Sequence, residues 1–173
     1  MTAIEPRSRD GVRERTITWT DPAQSRFRGR GMTGYERLLA IQRGELAPPP
    51  AAALLGFELD RVDRGRTVFS MLADEVHENP MGTMHGGIVA ALVDTAMGCA
   101  VTSQLDAEVG FTTLELKTNY VRAVTQATGR IFADGTVVHA GGRVATTEAR
   151  VYDSNGTLYA HATSTCMILR GTR

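Results

Sequence analysis

The stretch from residue 79 to residue 98 constrains the fold of this chain more than any other part of its sequence. It reads Asn-Pro-Met-Gly-Thr-Met-His-Gly-Gly-Ile-Val-Ala-Ala-Leu-Val-Asp-Thr-Ala-Met-Gly, a polar loop with glycines that runs into an apolar segment. The apolar segment predicts a helix over about residues 86–103, and a helix that is apolar nearly all round belongs inside a protein. Asp94 lies in its middle. Because a lone carboxylate is costly to bury unless it is paired or used, Asp94 is the first candidate for a catalytic group.

The rest of the chain supplies strands that can cover this helix. A short helix is predicted to begin at Gly34 and to end near Gly44, and Pro48-Pro49-Pro50 predicts a stiff extended linker. Strand-like patterns predict strands at about 54–60, 66–73, 111–122, 127–138, 142–153 and 157–169. Short turns join the later strands, so that part of the sheet is antiparallel. We therefore expect an α+β fold in which a curved sheet of about five or six strands wraps around a central helix.

The first 32 residues differ from the rest in composition, since they hold seven arginines, four acidic residues and few apolar side chains. We interpret residues 1–32 as an N-terminal extension, partly ordered at best, and residues 33–173 as one domain. The basic character of the extension can favour a phosphate-rich ligand, and a solvated tail is the alternative explanation.

Composition and motifs exclude several classes of function. The formal net charge is zero, so no global field directs the chain to nucleic acid or to an anionic membrane. No apolar signal segment and no membrane-length apolar stretch is present, which predicts a cytoplasmic protein. Cys99 and Cys166 lie far apart without a CxxC pattern, and the four histidines show no metal-ligand spacing, so no metal is expected. Phosphate-loop, dinucleotide and GxSxG motifs are all missing from the sequence.

The two ends of this loop-and-helix segment cannot serve one carbonyl group within one chain. If Gly86 opens the helix, its N–H has no intrahelical acceptor and can face an oxyanion. Asp94 follows eight residues later, which is about 12 Å along a helix axis. Either the two groups do not cooperate, or Asp94 comes from a second, antiparallel copy of the helix, as in a twofold homodimer. The alternative role of Asp94 is to cap a buried polar group.

Three further side chains are candidates for the same site. His85 can orient a carbonyl group or simply brace the loop through a ring nitrogen. Asn79, held extended by Pro80, can position water or bind the oxygen of a substrate carbonyl, or it can be an Asx-turn residue. Thr113 can assist an attacking water, and ordinary filling of a strand explains it equally well.

These residues resemble a known signature. Asn79-x-x-Gly82-x-x-His85-Gly86-Gly87-x-x-Ala90-x-Leu92-x-Asp94-Thr95-Ala96-x-Gly98 is similar to the signature of the PaaI-like acyl-CoA thioesterases, which have the hotdog fold. The run Thr113-x-Glu115-Leu116-x-Thr118-Asn119-Tyr120-Val121-Arg122 resembles the strand that follows their central helix. The likeness covers about residues 34–169.

The resemblance implies an enzyme that hydrolyses acyl-CoA to a carboxylic acid and CoA without a metal or redox cofactor. It makes Asp94 the general base or the nucleophile, and it gives the Gly86 N–H the task of polarising the thioester carbonyl across a dimer interface. It also implies that Asn79 and His85 shape the oxyanion and water environment, and that Thr113 assists the water.

The resemblance further implies a homodimer, with homotetramers formed as dimers of dimers. Arg122 and Arg143 are possible contacts for CoA phosphates, although either can belong to a surface ion pair. A different class of function, a non-catalytic acyl-CoA-binding or sensing hotdog module, is the main alternative. A hotdog hydratase is a third possibility, but no second Asp-x-x-x-x-His arrangement supports it.

Overall fold

The computed structural model describes residues 11–170 and shows one sheet packed around one long helix. The first ten residues of the predicted extension and the last three of the predicted domain lie outside the described range. The helices are α1 (Pro22–Arg28), α2 (Gly34–Gln42), α3 (Pro50–Leu55) and α4 (Gly86–Thr102), with short 3-10 turns at Glu75–His77 and Gln126–Thr128. The strands are β1 (Glu58–Asp63), β2 (Arg66–Leu72), β3 (Gly110–Tyr120), β4 (Arg130–Ala140), β5 (Val144–Asp153) and β6 (Leu158–Leu169).

The six strands form one antiparallel sheet in the order β1-β2-β4-β5-β6-β3. Helix α4 packs against β2, β3, β4, β5 and β6, so the sheet wraps around it. Its side chains Leu92, Val93 and Met97 are fully buried. The predicted α+β architecture, with a central helix and about five or six strands, is confirmed.

Glycine sets the depth at which α4 lies on the sheet. A Cβ atom at Gly135 of β4 would stand 2.5 Å from the carbonyl carbon of Ala96, so only glycine allows this approach. On the other side of the helix, Gly98 makes room for the ring of Phe111, which would lie 2.6 Å from an added Cβ. The helix is therefore held at a fixed height, and the position of Asp94 relative to β3 is fixed with it.

Helix α2 covers one end of the curved sheet. Thr33 and Glu36 form a capping box at its N-terminus, and the Gly34 N–H donates to the Leu105 carbonyl at 3.0 Å. Leu105 lies just beyond the C-terminus of α4. The N-terminus of α2 is thereby joined to the C-terminal end of the central helix.

Two predictions are wrong in part: the extended linker at Pro48-Pro49-Pro50 and the strand at 54–60. Pro50 begins α3, and the first strand begins at Glu58 instead of residue 54. Proline is well suited to the first position of a helix, where its missing N–H costs nothing. Gly56 ends α3 in the left-handed conformation, with φ of 73°, as a helix-terminating glycine does.

The described part of the predicted extension, residues 11–32, contains α1. Asp21 caps this helix by accepting a hydrogen bond from the Ala23 N–H at 2.9 Å. The segment before α1 is joined to the rest by an ion pair of 2.6 Å between Arg13 and Glu75. Throughout residues 11–170, no helix is both long and apolar enough to cross a membrane.

Candidate active site

The loop that leads into α4 is fixed at several points. The Met84 N–H donates to the Val124 carbonyl at 2.8 Å, and the His85 N–H donates to the His77 carbonyl at 2.7 Å. His85 is the N-cap of α4, and its Nδ1 accepts a hydrogen bond from the Gly87 N–H at 3.0 Å. Because Nδ1 accepts, the neutral ring carries its proton on Nε2 and can donate it outward. His85 thus braces the helix start and retains one donor.

Gly86 presents its N–H at the positive end of α4. Within residues 11–170 this N–H donates to no acceptor, as expected for the first residue of a helix. The Tyr120 hydroxyl donates to the Gly86 carbonyl at 2.8 Å, and an added Cβ would lie 3.2 Å from Cζ of that ring. Tyr120 was missed from the sequence, since only the register of β3 reveals that its hydroxyl reaches the helix start.

Asn79 forms an Asx turn. Its Oδ1 accepts from the Met81 N–H at 2.9 Å, and its Nδ2 donates to the Thr83 hydroxyl at 2.9 Å. The alternative role predicted for Asn79, that of an Asx-turn residue, is therefore observed in the structure. Asn79 also borders a cleft, so its polar atoms remain beside a ligand space.

This cleft has a volume of about 350 Å³ and lies at the start of α4. Its lining residues are Asn79, Thr83, Met84, Gly86, Val89, Tyr120, Val121, Arg122, Ala123, Val124, Tyr159 and Ala160. A volume of this order is within the range of small-molecule sites. We call it the Gly86 cleft.

Asp94 lies elsewhere, paired with β3. Its Oδ1 accepts a hydrogen bond of 2.9 Å from the Thr113 hydroxyl, and both residues are half-buried. Thr113 stands next to a β-bulge that shifts the register between Thr113 and Glu115. Among the described residues, Oδ2 of Asp94 accepts no hydrogen bond, so it can receive a proton or attack a carbonyl carbon. The hydroxyl of the next residue, Thr95, donates to the Ala91 carbonyl within the helix at 2.8 Å.

A second, apolar cavity of about 410 Å³ lies beside Thr95 and Cys99, between α4 and helices α2 and α3. Its apolar lining residues include Leu38, Ile41, Ala52, Phe57, Leu59 and Phe69. Both cysteines are free thiols. Burial and the negative charge of Asp94 raise the pKa of Cys99 to about 12, so its thiol stays protonated and is a poor nucleophile at neutral pH.

The candidate residues therefore fall into two sets within one chain. Asn79, Gly86 and Arg122 border the Gly86 cleft, whereas Asp94 and Thr113 do not. Since α4 is continuous from Gly86 to Thr102, the separation of about 12 Å between Gly86 and Asp94 along its axis stands.

Arg122 and Arg143 lie at opposite ends of the sheet. Arg122 follows Tyr120, which pairs with Ala160, whereas Arg143 precedes Val144, which pairs with Met167. Ala160 and Met167 are seven residue steps apart on β6, which is about 23 Å along the strand. One chain therefore does not bring the two arginines to one ligand group. In the part of the chain described, no three His, Cys, Asp or Glu side chains are grouped so as to hold a metal ion.

Comparison with known proteins agrees with this architecture. Residues 81–160 match the model of the thioesterase superfamily. A protein of Saccharolobus solfataricus named "Putative esterase" is 29% identical over 118 residues, which is 68% of this chain and 77% of that protein.

Solved structures of other proteins are similar to this chain in fold. A phenylacetic acid degradation-related protein from Ralstonia eutropha superposes with a TM-score of 0.69 at 27% identity, covering 75% of this chain and 98% of that one. A thioesterase family protein from Silicibacter pomeroyi gives a TM-score of 0.69 at 28% identity, with coverage of 78% and 99%.

Proposed function

Because residues 81–160 match the model of the thioesterase superfamily and the chain has the hotdog fold, we propose that it is a PaaI-like thioesterase that hydrolyses acyl-CoA to a carboxylic acid and CoA. The observation that carries the proposal is the pairing of a half-buried carboxylate, Asp94, with the hydroxyl of Thr113 at 2.9 Å, together with an unpaired N–H at Gly86. A carboxylate with one open oxygen and a free helix-terminal N–H are what hydrolysis of a thioester carbonyl requires.

In the proposed reaction, Oδ2 of Asp94 acts on the thioester carbonyl. It either takes a proton from a water molecule that attacks the carbonyl carbon, or attacks that carbon itself and forms a mixed anhydride that water then opens. The Gly86 N–H of the second subunit stabilises the negative charge on the carbonyl oxygen. The C–S bond breaks, and CoA leaves as a thiolate that takes up a proton. Thr113 keeps the carboxylate oriented, and His85 and Asn79 hold the loop that presents Gly86.

The two half-sites meet across a homodimer interface in this proposal. Strand β3, which contains Thr113 and Tyr120, is an edge of the sheet. Leu114 and Tyr120 are 55% and 53% exposed, which is unusual for large side chains on an unpaired edge. A second copy that covers this edge with its helix antiparallel brings Gly86 of one subunit opposite Asp94 of the other. Pairing of two such dimers into a tetramer and a location in the cytoplasm stay predictions.

The apolar cavity beside Thr95 and Cys99 is the place for the acyl group. It adjoins the residue after Asp94, and its walls are aliphatic and aromatic side chains. A non-catalytic acyl-CoA-binding module would have the same cavity, so hydrolysis itself has to be measured.

The test is the Asp94→Asn variant, assayed by release of CoA thiol from a panel of short, medium, long and aromatic acyl-CoAs. We expect loss of turnover by orders of magnitude with acyl-CoA binding retained, because the amide can neither take the proton nor attack. Asp106→Asn is the matched control, since Asp106 is an exposed carboxylate in the loop after α4. Near-normal hydrolysis by Asp94→Asn would contradict the assignment, and binding without any hydrolysis by the wild type would favour the non-catalytic module.

A further inference from the structure

A cleft whose lining does not include Gly86 carries a concentration of arginine. It has a volume of about 900 Å³ and is formed by α1, the start of α2 and the loop after α4. Its lining residues are Ala23, Gln24, Arg26, Phe27, Arg28, Arg30, Arg37 and Glu108. We call it the arginine cleft. Four guanidinium groups and one carboxylate give it a strong positive charge in a protein whose formal net charge is zero.

The guanidinium groups of this cleft form no ion pair with a described carboxylate of the chain. In the ion pairs among residues 11–170, none of the four arginines takes part. Glu108 is engaged by the backbone, since its Oε1 accepts from the Gly31 N–H at 3.3 Å. Arg37 donates to the Gly29 carbonyl at 3.0 Å, and its buried Nε has no partner. Among the described residues, no ion pair therefore neutralises the four arginines of the cleft.

An exposed aromatic ring lies in the same cleft. Phe27 is 69% exposed, and the guanidinium of Arg30 stands 5.6 Å from its ring centroid. Helix α1 has no buried residue, so packing does not explain a large apolar side chain there. Guanidinium groups match phosphate oxygens, and an open ring can stack on a heterocyclic base. The combination fits a phosphorylated nucleotide.

The position of the cleft relative to the proposed site favours one such ligand. Glu108 follows α4, and α2 is joined to Leu105, so the cleft lies at the C-terminal end of α4. In an antiparallel pair that sets Gly86 of one subunit opposite Asp94 of the other, the loop before Gly86 and its cleft lie toward that same end. A ligand whose thioester is held between Asp94 and Gly86 can extend along the partner's Gly86 cleft and reach the arginine cleft.

We infer that the arginine cleft binds the phosphate-rich nucleotide end of acyl-CoA, with Arg26, Arg28 and Arg30 contacting phosphates and Phe27 contacting the adenine. This inference rests on the proposed function for its ligand. It places the CoA phosphates at α1, in the N-terminal extension, and not at Arg143.

The test compares the wild type with the Arg26→Gln/Arg28→Gln double variant on two substrates that share one acyl group. One is the CoA thioester, and the other is the N-acetylcysteamine thioester, which lacks the phosphates and the adenine. We expect KM for the CoA thioester to rise about 2- to 30-fold, as for the loss of two exposed charge contacts, with kcat unchanged. Neither constant should change for the short thioester. Added salt should reduce the difference between the two proteins.

Arg150→Gln is the matched control, because Arg150 is an exposed arginine on β5 away from the cleft. An unchanged KM for the CoA thioester would overturn the inference, and so would an equal rise for both substrates. A changed oligomeric state of the double variant, measured by light scattering, would instead assign the cleft to a subunit contact and overturn it as well.

Direct binding separates this inference from the proposed function. Adenosine 3′,5′-bisphosphate, which is the nucleotide end of CoA, is titrated into the wild type and the double variant by calorimetry. Binding by the wild type that is weakened in the double variant supports the cleft even if no thioester is hydrolysed. Absence of binding to the wild type, or inorganic phosphate binding as tightly as the bisphosphate, would overturn it.

Discussion

Replacing Gly86 with proline removes a single N–H from the start of α4 and tests the role that we propose for it. Gly86 is the first residue of the helix, a position at which proline is favoured. The preceding His85 has ψ of 129°, in the extended region that a residue before proline requires. Because no hydrogen bond among the described residues is lost, we expect Gly86→Pro to fold with a melting temperature near that of the wild type.

The expected loss of activity follows from the loss of one oxyanion donor, which lowers kcat by about 10²- to 10³-fold. Gly86→Ala is the matched control, since it places the same Cβ atom 3.2 Å from Cζ of Tyr120 and keeps the N–H. The ratio of kcat between the two variants, measured by CoA release, isolates the N–H. Equal kcat values in two folded proteins would refute the oxyanion role.

Mixing two inactive variants extends the same test to the dimer. Asp94→Asn and Gly86→Pro each damage a different half of the proposed site, so a mixed dimer has one site with two native halves and one with none. Random exchange makes about half of all dimers mixed, and the mixture should regain about one quarter of the wild-type activity. Activity that stays at the level of the parent variants after verified subunit exchange would contradict a shared site.

Three further changes test other parts of the structure. Thr113→Val should lower kcat by about 10- to 150-fold through loss of a hydrogen bond to a charged carboxylate, with Thr112→Val, an exposed neighbour, near the wild type in the same assay. Gly135→Ala should lower the free energy of unfolding in urea by about 1–3 kcal/mol through its clash with the backbone of α4, unlike Gly142→Ala, where nothing lies within 4 Å. Burial lowers the pKa of His77, so the unfolded chain binds more protons below pH 6.5 and the melting temperature should fall on acidification, less so in His77→Gln.

The prediction agrees closely with the structure for helices and strands whose bounds follow from their local sequence. The central helix was expected over about 86–103 and runs from Gly86 to Thr102, since a long apolar run after a glycine-rich loop has few other solutions. The second strand was expected at 66–73 and is found at Arg66–Leu72. The six-residue helix α3 was missed because three prolines were interpreted together, although Pro50 and Gly56 are the usual first and terminating residues of a helix.

Features that depend on distant segments were not predictable from the sequence. Strand β3 follows α4 in the chain but pairs with β6, which comes last, and only this pairing makes β3 an edge. The contact of the Tyr120 hydroxyl with the Gly86 carbonyl is a result of the same register. The arginine cleft arises because α1 lies against the loop that holds Glu108, 77 residues later than its hydrogen-bond partner Gly31.

The distance between Gly86 and Asp94 can be predicted from the sequence alone, because it depends only on the rise per residue of an α-helix. In the structure, Gly135 and Gly98 allow close contacts of α4 with β4 and with the ring of Phe111, and the helix is continuous between Gly86 and Asp94. If Gly86 and Asp94 act on one carbonyl group, as we propose, a second chain has to complete the site, and the activity per subunit then depends on the fraction of chains that are paired. In that proposal the Gly86 N–H, the Asp94 carboxylate and the exposed edge of β3 belong together, since the surface that pairs the two subunits would also form the active site.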